Sequence, residues 1–196
     1  PGNRICEVDM ALIDLNPDNP FRPYTGAARD NLIEDIRQNG VLTPITLWER
    51  ENGRYMILAG QNRYLCSKLA GNATIPSIIK RDITEGQAKL IVVHSNTQRG
   101  FTEWLPSERA FAYKMKLDAI KNQGARSDLT STQVAQKLSV EKVGDDAGVS
   151  KDTIRRFIRL TNLIPELLDM VDEKKISFNP AVELSYLDES QQRAFL

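Results

Sequence analysis

The sequence has 196 residues, with 26 lysines and arginines against 26 aspartates and glutamates, so its formal net charge is zero. A surface that is basic all over is thereby excluded, and any contact with nucleic acid must come from charge sorted locally along the chain. Two distant cysteines and a single histidine exclude a zinc cluster and a Cys-His nucleophile pair, and no run of 18 apolar residues exists to span a membrane.

The elements alternate at first. A short strand is expected to lead into a Pro- and Asn-rich loop from Ile13 to Tyr24. Ala27 to Asn39 carries Leu32, Ile33 and Ile36 at helical spacing, and Gly40 supplies a stop. Ile45-Thr46-Leu47-Trp48 and Tyr55-Met56-Ile57-Leu58 read as strands around the turn Glu51-Asn52-Gly53. Arg63 to Ala70 is predicted helical up to Gly71, Ile75 to Ile79 extended, and Glu85 to Asn96 helical. After Thr102 the strand signal ends. Ser107 to Asn122 is predicted as a long helix broken at Gln123 to Ser127, followed by short helices that include Ser131 to Leu138. These features predict an α+β chain: a small mixed-sheet domain at 1–100, a hinge at Gly100 to Thr102, and an all-helical domain at 103–196. Pro1 to Arg4 carries no signal-peptide pattern, and both ends read as cuts within a longer protein.

Charge is sorted by segment. Arg109 to Arg126 holds five bases and one acid, Ser150 to Arg159 four bases and one acid, and Glu166 to Leu196 seven acids and three bases. Within the second segment lies the pattern of a helix-turn-helix over 140–160. Gly144 is the small residue expected at the helix crossing, and Gly148 suits a turn that requires positive φ. Val149, Ile154, Phe157 and Ile158 would hold down the second helix, and Ser150 would cap it. That helix would turn Lys151, Thr153, Arg155, Arg156 and Arg159 toward DNA, with Ser150 at its tip. Lys137 and Arg126 would extend a phosphate track.

Three polar segments of the first domain lie outside the periodic pattern: Asn16 to Arg22, Ala59 to Arg63, and Ser95 to Arg99. A glycine followed by a helix start offers free N–H groups to an anion, and an arginine in the first turn can fork onto phosphate. Asn96 can offer an oxygen to Mg²⁺. Spacing alone leaves ordinary capping and loop chemistry open, because no G-x-x-x-x-G-K-[ST] loop is present.

In this order, and followed by a helical half, these segments resemble the ParB family of partition proteins. Asn16-Pro17 with Asn19-Pro20 and Arg22 is similar to the family's N-P-x-Q-P-R box, and Gly40 to Ile45, with Thr43, to the segment after it. Gly60-Gln61-Asn62-Arg63 stands in place of G-E-R-R, and Ser95-Asn96-Thr97-Gln98-Arg99 in place of E-N-x-Q-R. Leu105 to Ala110 resembles the continuation, in a form closer to mobile-element ParB proteins. The resemblance implies a fold shared with sulfiredoxin and a CTP-binding first domain. Its nucleotide residues would be Asn19, Arg22, Thr43, Gly60, Gln61, Asn62, Arg63, Ser95, Asn96, Gln98 and Arg99, with Asn96 on Mg²⁺. It further implies a palindromic double-stranded DNA site, a homodimeric clamp that slides under CTP control, a ParA-type ATPase partner, and work on the bacterial nucleoid in the cytoplasm.

The departures bear on catalysis. Gln61 and Asn62 are neutral where the family has Glu-Arg, and Ser95 replaces the acid that the family ties to Mg²⁺-assisted hydrolysis. No catalytic residue is therefore assigned, and at most a weak CTPase is expected. The alternative is a CTP-independent transcriptional or transfer regulator on the same scaffold. A metal nuclease is disfavoured because the polar segments contain only Asp18 as an acid. Sulfiredoxin-type reductase chemistry is disfavoured because Cys66 lies one helical turn beyond the Gly60 turn.

Overall fold

A computed structural model describes residues 4–97, 103–124 and 132–196, and for 122–124 and 132–139 it describes the backbone course alone. The chain divides into two compact units, Pro1–Ser95 and Asn96–Leu196.

The first unit is a five-stranded mixed sheet with helices. Its strands are β1 (Ile5–Asp9), β2 (Ile13–Asp14), β3 (Ile45–Glu49), β4 (Tyr55–Ala59) and β5 (Thr74–Lys80), in the order β1-β5-β3-β4-β2. The outer pair β1/β5 and the hairpin β3/β4 are antiparallel, whereas β3/β5 and β2/β4 are parallel. Alternation explains the central strand: Ile45 and Leu47 are fully buried on one face, while Trp48 and Glu49 at the strand's end are half-buried. Gly53, at φ 73°, closes the hairpin with its N–H on the Arg50 carbonyl. Helices α1 (Gly26–Asn39) and α2 (Gln61–Ala70) pack on each other, and α3 (Glu85–Thr97) buries Ala88, Val92 and Val93. Tyr64 of α2 reaches into the sheet core, its hydroxyl 3.2 Å from the Ile13 carbonyl and 3.4 Å from that of Met10. Burial pushes the pKa values of the Tyr64 hydroxyl and the Cys66 thiol up, which keeps both protonated.

The second unit is helical: α4 (Pro106–Gly124), α5 (Thr132–Ala147), α6 (Lys151–Arg159), α7 (Pro165–Asp172), α8 (Phe178–Leu184) and α9 (Glu189–Ala194). The short helix expected at Ser131 to Leu138 is instead the first half of α5. Nothing from Leu138 to Val143 is a glycine or proline, so the helix runs on to the turn glycine. Two buried clusters form among the described residues. One joins Tyr113, Leu117, Val140, Val143 and Ile154 of α4, α5 and α6. The other joins Ala110 and Leu160 to the apolar faces of α7 and α8. Phe157 packs against both, edge-on to Tyr113 at 5.7 Å and tilted over Phe178 at 4.6 Å.

Buried polar groups close the unit. Asp172 at the end of α7 accepts from the Ser107 backbone N–H at 2.9 Å and from its hydroxyl at 2.6 Å, capping α4 across 65 residues of chain. Gln192 of α9, 2% exposed, accepts from the Ile164 N–H and donates to the carbonyls of Asn162 and Leu187. Gln192→Ala strands all three groups and is expected to cost about 3 kcal/mol. A lowered urea midpoint at unchanged slope would show it.

Candidate nucleotide and DNA sites

The α5–turn–α6 geometry rests on one close approach. A Cβ on Gly144 would lie 2.7 Å from the Val149 carbonyl oxygen, so only glycine lets the turn cross there. The Val149 N–H donates back to the Gly144 carbonyl, and Gly148 holds φ 67°. Gly144 thus faces the turn backbone itself. The Val149 side chain was expected to pin α6, but it is 36% exposed, because its carbonyl makes the contact instead. Ser150 caps α6, its Oγ accepting from the Thr153 N–H at 3.1 Å, and Ile154 is fully buried.

On the other side of α6, Asp152, Arg155 and Arg156 are exposed, with Lys151 and Thr153 half-buried at the tip. The ion pairs here are loose and wet: Lys151 to Glu141 at 3.6 Å and Arg155 to Asp152 at 3.1 Å. Arg156 bonds Asn179 at 2.6 Å and lies over the Phe178 ring. Arg159 turns inward. It donates to the Ser185 carbonyl at 2.7 Å and stacks on Tyr186 at 4.0 Å, and its Nε is buried with no hydrogen-bond partner among the described residues. The basic count of α4 also shrinks on folding. Lys116 is buried on Asp146 at 2.7 Å, and Arg109 lies over the Phe157 ring. Arg126 lies outside the described residues, as does the side chain of Lys137.

In the first unit, α2 begins at Gly60 with φ 93°, where an added Cβ would sit 2.6 Å from Ile45 Cγ2. Arg63, in the first turn, donates through Nη1 to the Thr43 and Pro44 carbonyls at 2.5 and 2.8 Å. It pairs with no carboxylate among the described residues, and burial pulls its pKa below the usual arginine value without discharging it. The 16–24 loop is bound to this helix start. Asn19 Nδ2 donates to Gln61 Oε1 at 2.7 Å, and the Tyr24 N–H donates to Asn62 Oδ1 at 2.8 Å. Beside Asn62 the surface opens into an apolar groove of about 290 Å³ lined by Tyr24, Leu65, Cys66 and Leu69. Arg22 and Thr43 are exposed. Ser95 is exposed on α3, its hydroxyl donating to the Val92 carbonyl at 3.0 Å, and the Asn96 carbonyl accepts from the Trp104 indole. Gln98, Arg99 and the hinge at 100–102 lie outside the described residues. Among the described residues, no three His, Cys, Asp or Glu side chains gather as a metal site.

Residues 1–97 match the ParB N-terminal domain, and residues 106–196 match the ParB HTH domain. The chain belongs to the ParB family. It is 30% identical over 172 residues to stage 0 sporulation protein J of Bacillus subtilis, covering 86% of this chain and 54% of that one. It is 26% identical over 187 residues to the chromosome-partitioning protein Spo0J of Thermus thermophilus, covering 95% and 62%. The chain thus spans little more than half the length of these ParB relatives. Its fold is shared with the C-terminally truncated ParB of Caulobacter crescentus solved on the centromeric parS site, at TM-score 0.52 and 20% identity over 94% of this chain and 86% of that one. It is shared also with a Pnob8-like ParB-N domain, at TM-score 0.57 and 14% identity over 92% and 78%. The mixed sheet followed by helices agrees with the expected α+β class.

Sequence reading missed two features of this ParB chain: the inward turn of Arg159, and the commitment of Gln61 and Asn62 to the loop. Tyr186, an exposed aromatic next to Ser185, was the available signal for the first. Gly60→Ala meets both a closed space and a forbidden φ and is expected to cost roughly 3 kcal/mol. Gly71→Ala, at φ 89° but facing open space, is expected to cost about 1–2 kcal/mol. Paired urea titrations of the two variants test the difference.

Proposed function

We propose that this chain is the nucleotide- and DNA-binding part of a partition protein that loads on a palindromic double-stranded site. The observation that carries the DNA reading is α6, a capped helix set by a glycine-tight turn, with Arg155 and Arg156 exposed and Ser150, Lys151 and Thr153 at its tip. Residues at the start of such a helix reach base edges, and flanking bases meet phosphates. The Caulobacter crescentus ParB that shares this fold was solved on the centromeric parS site, which supports a DNA-binding reading. Lys137 and Arg126 belong to the proposed phosphate track. Arg159 belongs to the fold more than to the DNA surface.

The CTP reading rests on the family boxes, with residues 1–100 as the nucleotide domain and 103–196 as the DNA-binding domain. The residues proposed for its nucleotide site are Asn19, Arg22, Thr43, Gly60 to Arg63, Ser95, Asn96, Gln98 and Arg99. The start of α2 suits a triphosphate in its chemistry. It offers first-turn N–H groups after a left-handed glycine, with Arg63 in the same turn held on backbone carbonyls. Mg²⁺ would rely on the phosphates and the Asn96 amide oxygen, because among the described residues no acidic cluster accompanies the boxes. When bound, the ion would neutralise phosphate charge. The Ser95 hydroxyl is a neutral donor to Val92 and cannot act as a general base at neutral pH, so binding without rapid hydrolysis is expected. Dimerisation into a CTP-controlled sliding clamp, a ParA-type ATPase partner, residence on the cytoplasmic nucleoid and a mobile-element context complete the proposal. Among the described residues no helix is long and apolar enough to cross a membrane.

Two measurements test it. On a site selected from random duplexes, Arg155→Ala is expected to lose about 1–3 kcal/mol of specific affinity with an unchanged urea midpoint. Lys151→Ala is expected to flatten the salt dependence by about one unit of slope, and Arg159→Ala to lower the midpoint. Sequence-independent binding by the parent chain would overturn the reading. For the nucleotide, calorimetry with CTP is expected to show binding, while phosphate release stays at background with and without the selected DNA. Brisk site-stimulated release would refute the assignment of Ser95 as catalytically inert.

A further inference from the structure

We infer that Gln61 and Asn62 are positioning residues, which hold the 16–24 loop closed on the start of α2 before any nucleotide arrives, and are not themselves the main phosphate ligands. This rests on the proposed nucleotide reading only for its consequence, since the fastening is made by the chain's own residues. Both ends of the Gln61 amide are committed. Its oxygen accepts from Asn19 Nδ2 at 2.7 Å, and its nitrogen donates to the Phe21 carbonyl at 3.4 Å. The loop answers with its own turns. Asn19 Oδ1 takes the Phe21 N–H at 3.1 Å, Asn16 Oδ1 takes the Asp18 N–H at 3.0 Å, and the Asn16 carbonyl takes the Asn19 N–H at 3.1 Å. Three residues on, Asn62 Oδ1 takes the Tyr24 N–H at 2.8 Å. Phe21, 5% exposed, is sealed beneath, so opening the loop would also wet an aromatic ring.

The fasteners named above are neutral amides. An acid at position 61 could accept from Asn19 but would face the Phe21 carbonyl with no donor, so glutamine suits the position on chemical grounds. What is left for an anion is the unfastened part of the same turn: the backbone N–H groups and the edge of Arg63 not held by Thr43 and Pro44. A loop fastened by the chain's own side chains adds little ordering cost to ligand binding, which is the benefit of preorganisation.

Amide hydrogen exchange on the free chain decides the fastening without any nucleotide. The Phe21 and Tyr24 amides are expected to be protected. Asn62→Ala should lower Tyr24 protection roughly tenfold, and Asn62→Asp, which keeps the accepting oxygen, should restore it. Gln61→Glu, which keeps one bond of two, should loosen the loop less than Gln61→Ala. Calorimetry with CTP and Mg²⁺ then tests positioning. Affinity should fall across Gln61→Glu and Gln61→Ala in step with loop protection. Free-peptide exchange of Tyr24 in the parent chain, or intact protection in Asn62→Ala, overturns the inference. So does a loss of CTP affinity in Gln61→Ala with the loop still protected, which would make Gln61 a ligand. If the parent chain binds no CTP, the nucleotide reading falls, and the exchange data still judge the fastening.

Discussion

The starts of α2 and α6 both follow a close approach at a glycine that leaves no room for a methyl group. At Gly60 the obstacle is the Ile45 side chain, 2.6 Å from the missing Cβ. At Gly144 it is the Val149 carbonyl, at 2.7 Å. In each unit the close approach fixes where a helix starts and which way its first turn faces. The rest is built on that direction: Arg63 on the carbonyls of Thr43 and Pro44 in one case, and the Ser150 cap with the buried Ile154 in the other. Side-chain packing alone leaves helix starts free to drift by a residue or two. At Gly144 the obstacle is backbone, which no rotamer change can relieve, and at Gly60 it is a fully buried Ile45 held by the sheet core.

Charge in the second unit follows a division of labour that the sequence does not display. Arg109, Lys116 and Arg159 face inward, where an aromatic ring, a carboxylate or a backbone carbonyl receives them. Arg155 and Arg156 stay at the surface. A cation stacked on a ring buries its apolar stem and keeps the bundle aligned, so arginine serves here partly as a packing residue. The zero net charge therefore coexists with a small basic face on α6, and the acids of the C-terminal segment are mostly solvated.

Local signals were legible because they are local. The hairpin around Asn52-Gly53, the stops at Gly40 and Gly71, the Ser150 cap and the change from mixed to helical structure all depend on residues within a few positions of one another. Other features depended on partners far along the chain. Arg159 looks like any base on a recognition helix until Ser185 and Tyr186, 26 and 27 positions later, arrive beside it. Gln61 looks like a degraded phosphate box until Asn19, 42 residues earlier, meets it. The single helix Thr132–Ala147 joins the helix predicted at Ser131 to Leu138 to the start of the helix-turn-helix pattern, because no glycine or proline lies between.

Phe157 carries a consequence beyond its contacts. Its ring belongs at once to the cluster that seats α6 on α4 and α5 and to the cluster that gathers α7 and α8. A side chain shared by two cores couples their melting, since neither cluster can loosen without exposing the same ring. The basic helix therefore has no low-energy route to fray by itself. Its rigidity is borrowed from the whole bundle behind it, and a heat- or denaturant-weakened C-terminal segment would blunt the surface face of α6 well before that helix lost a single residue of its own.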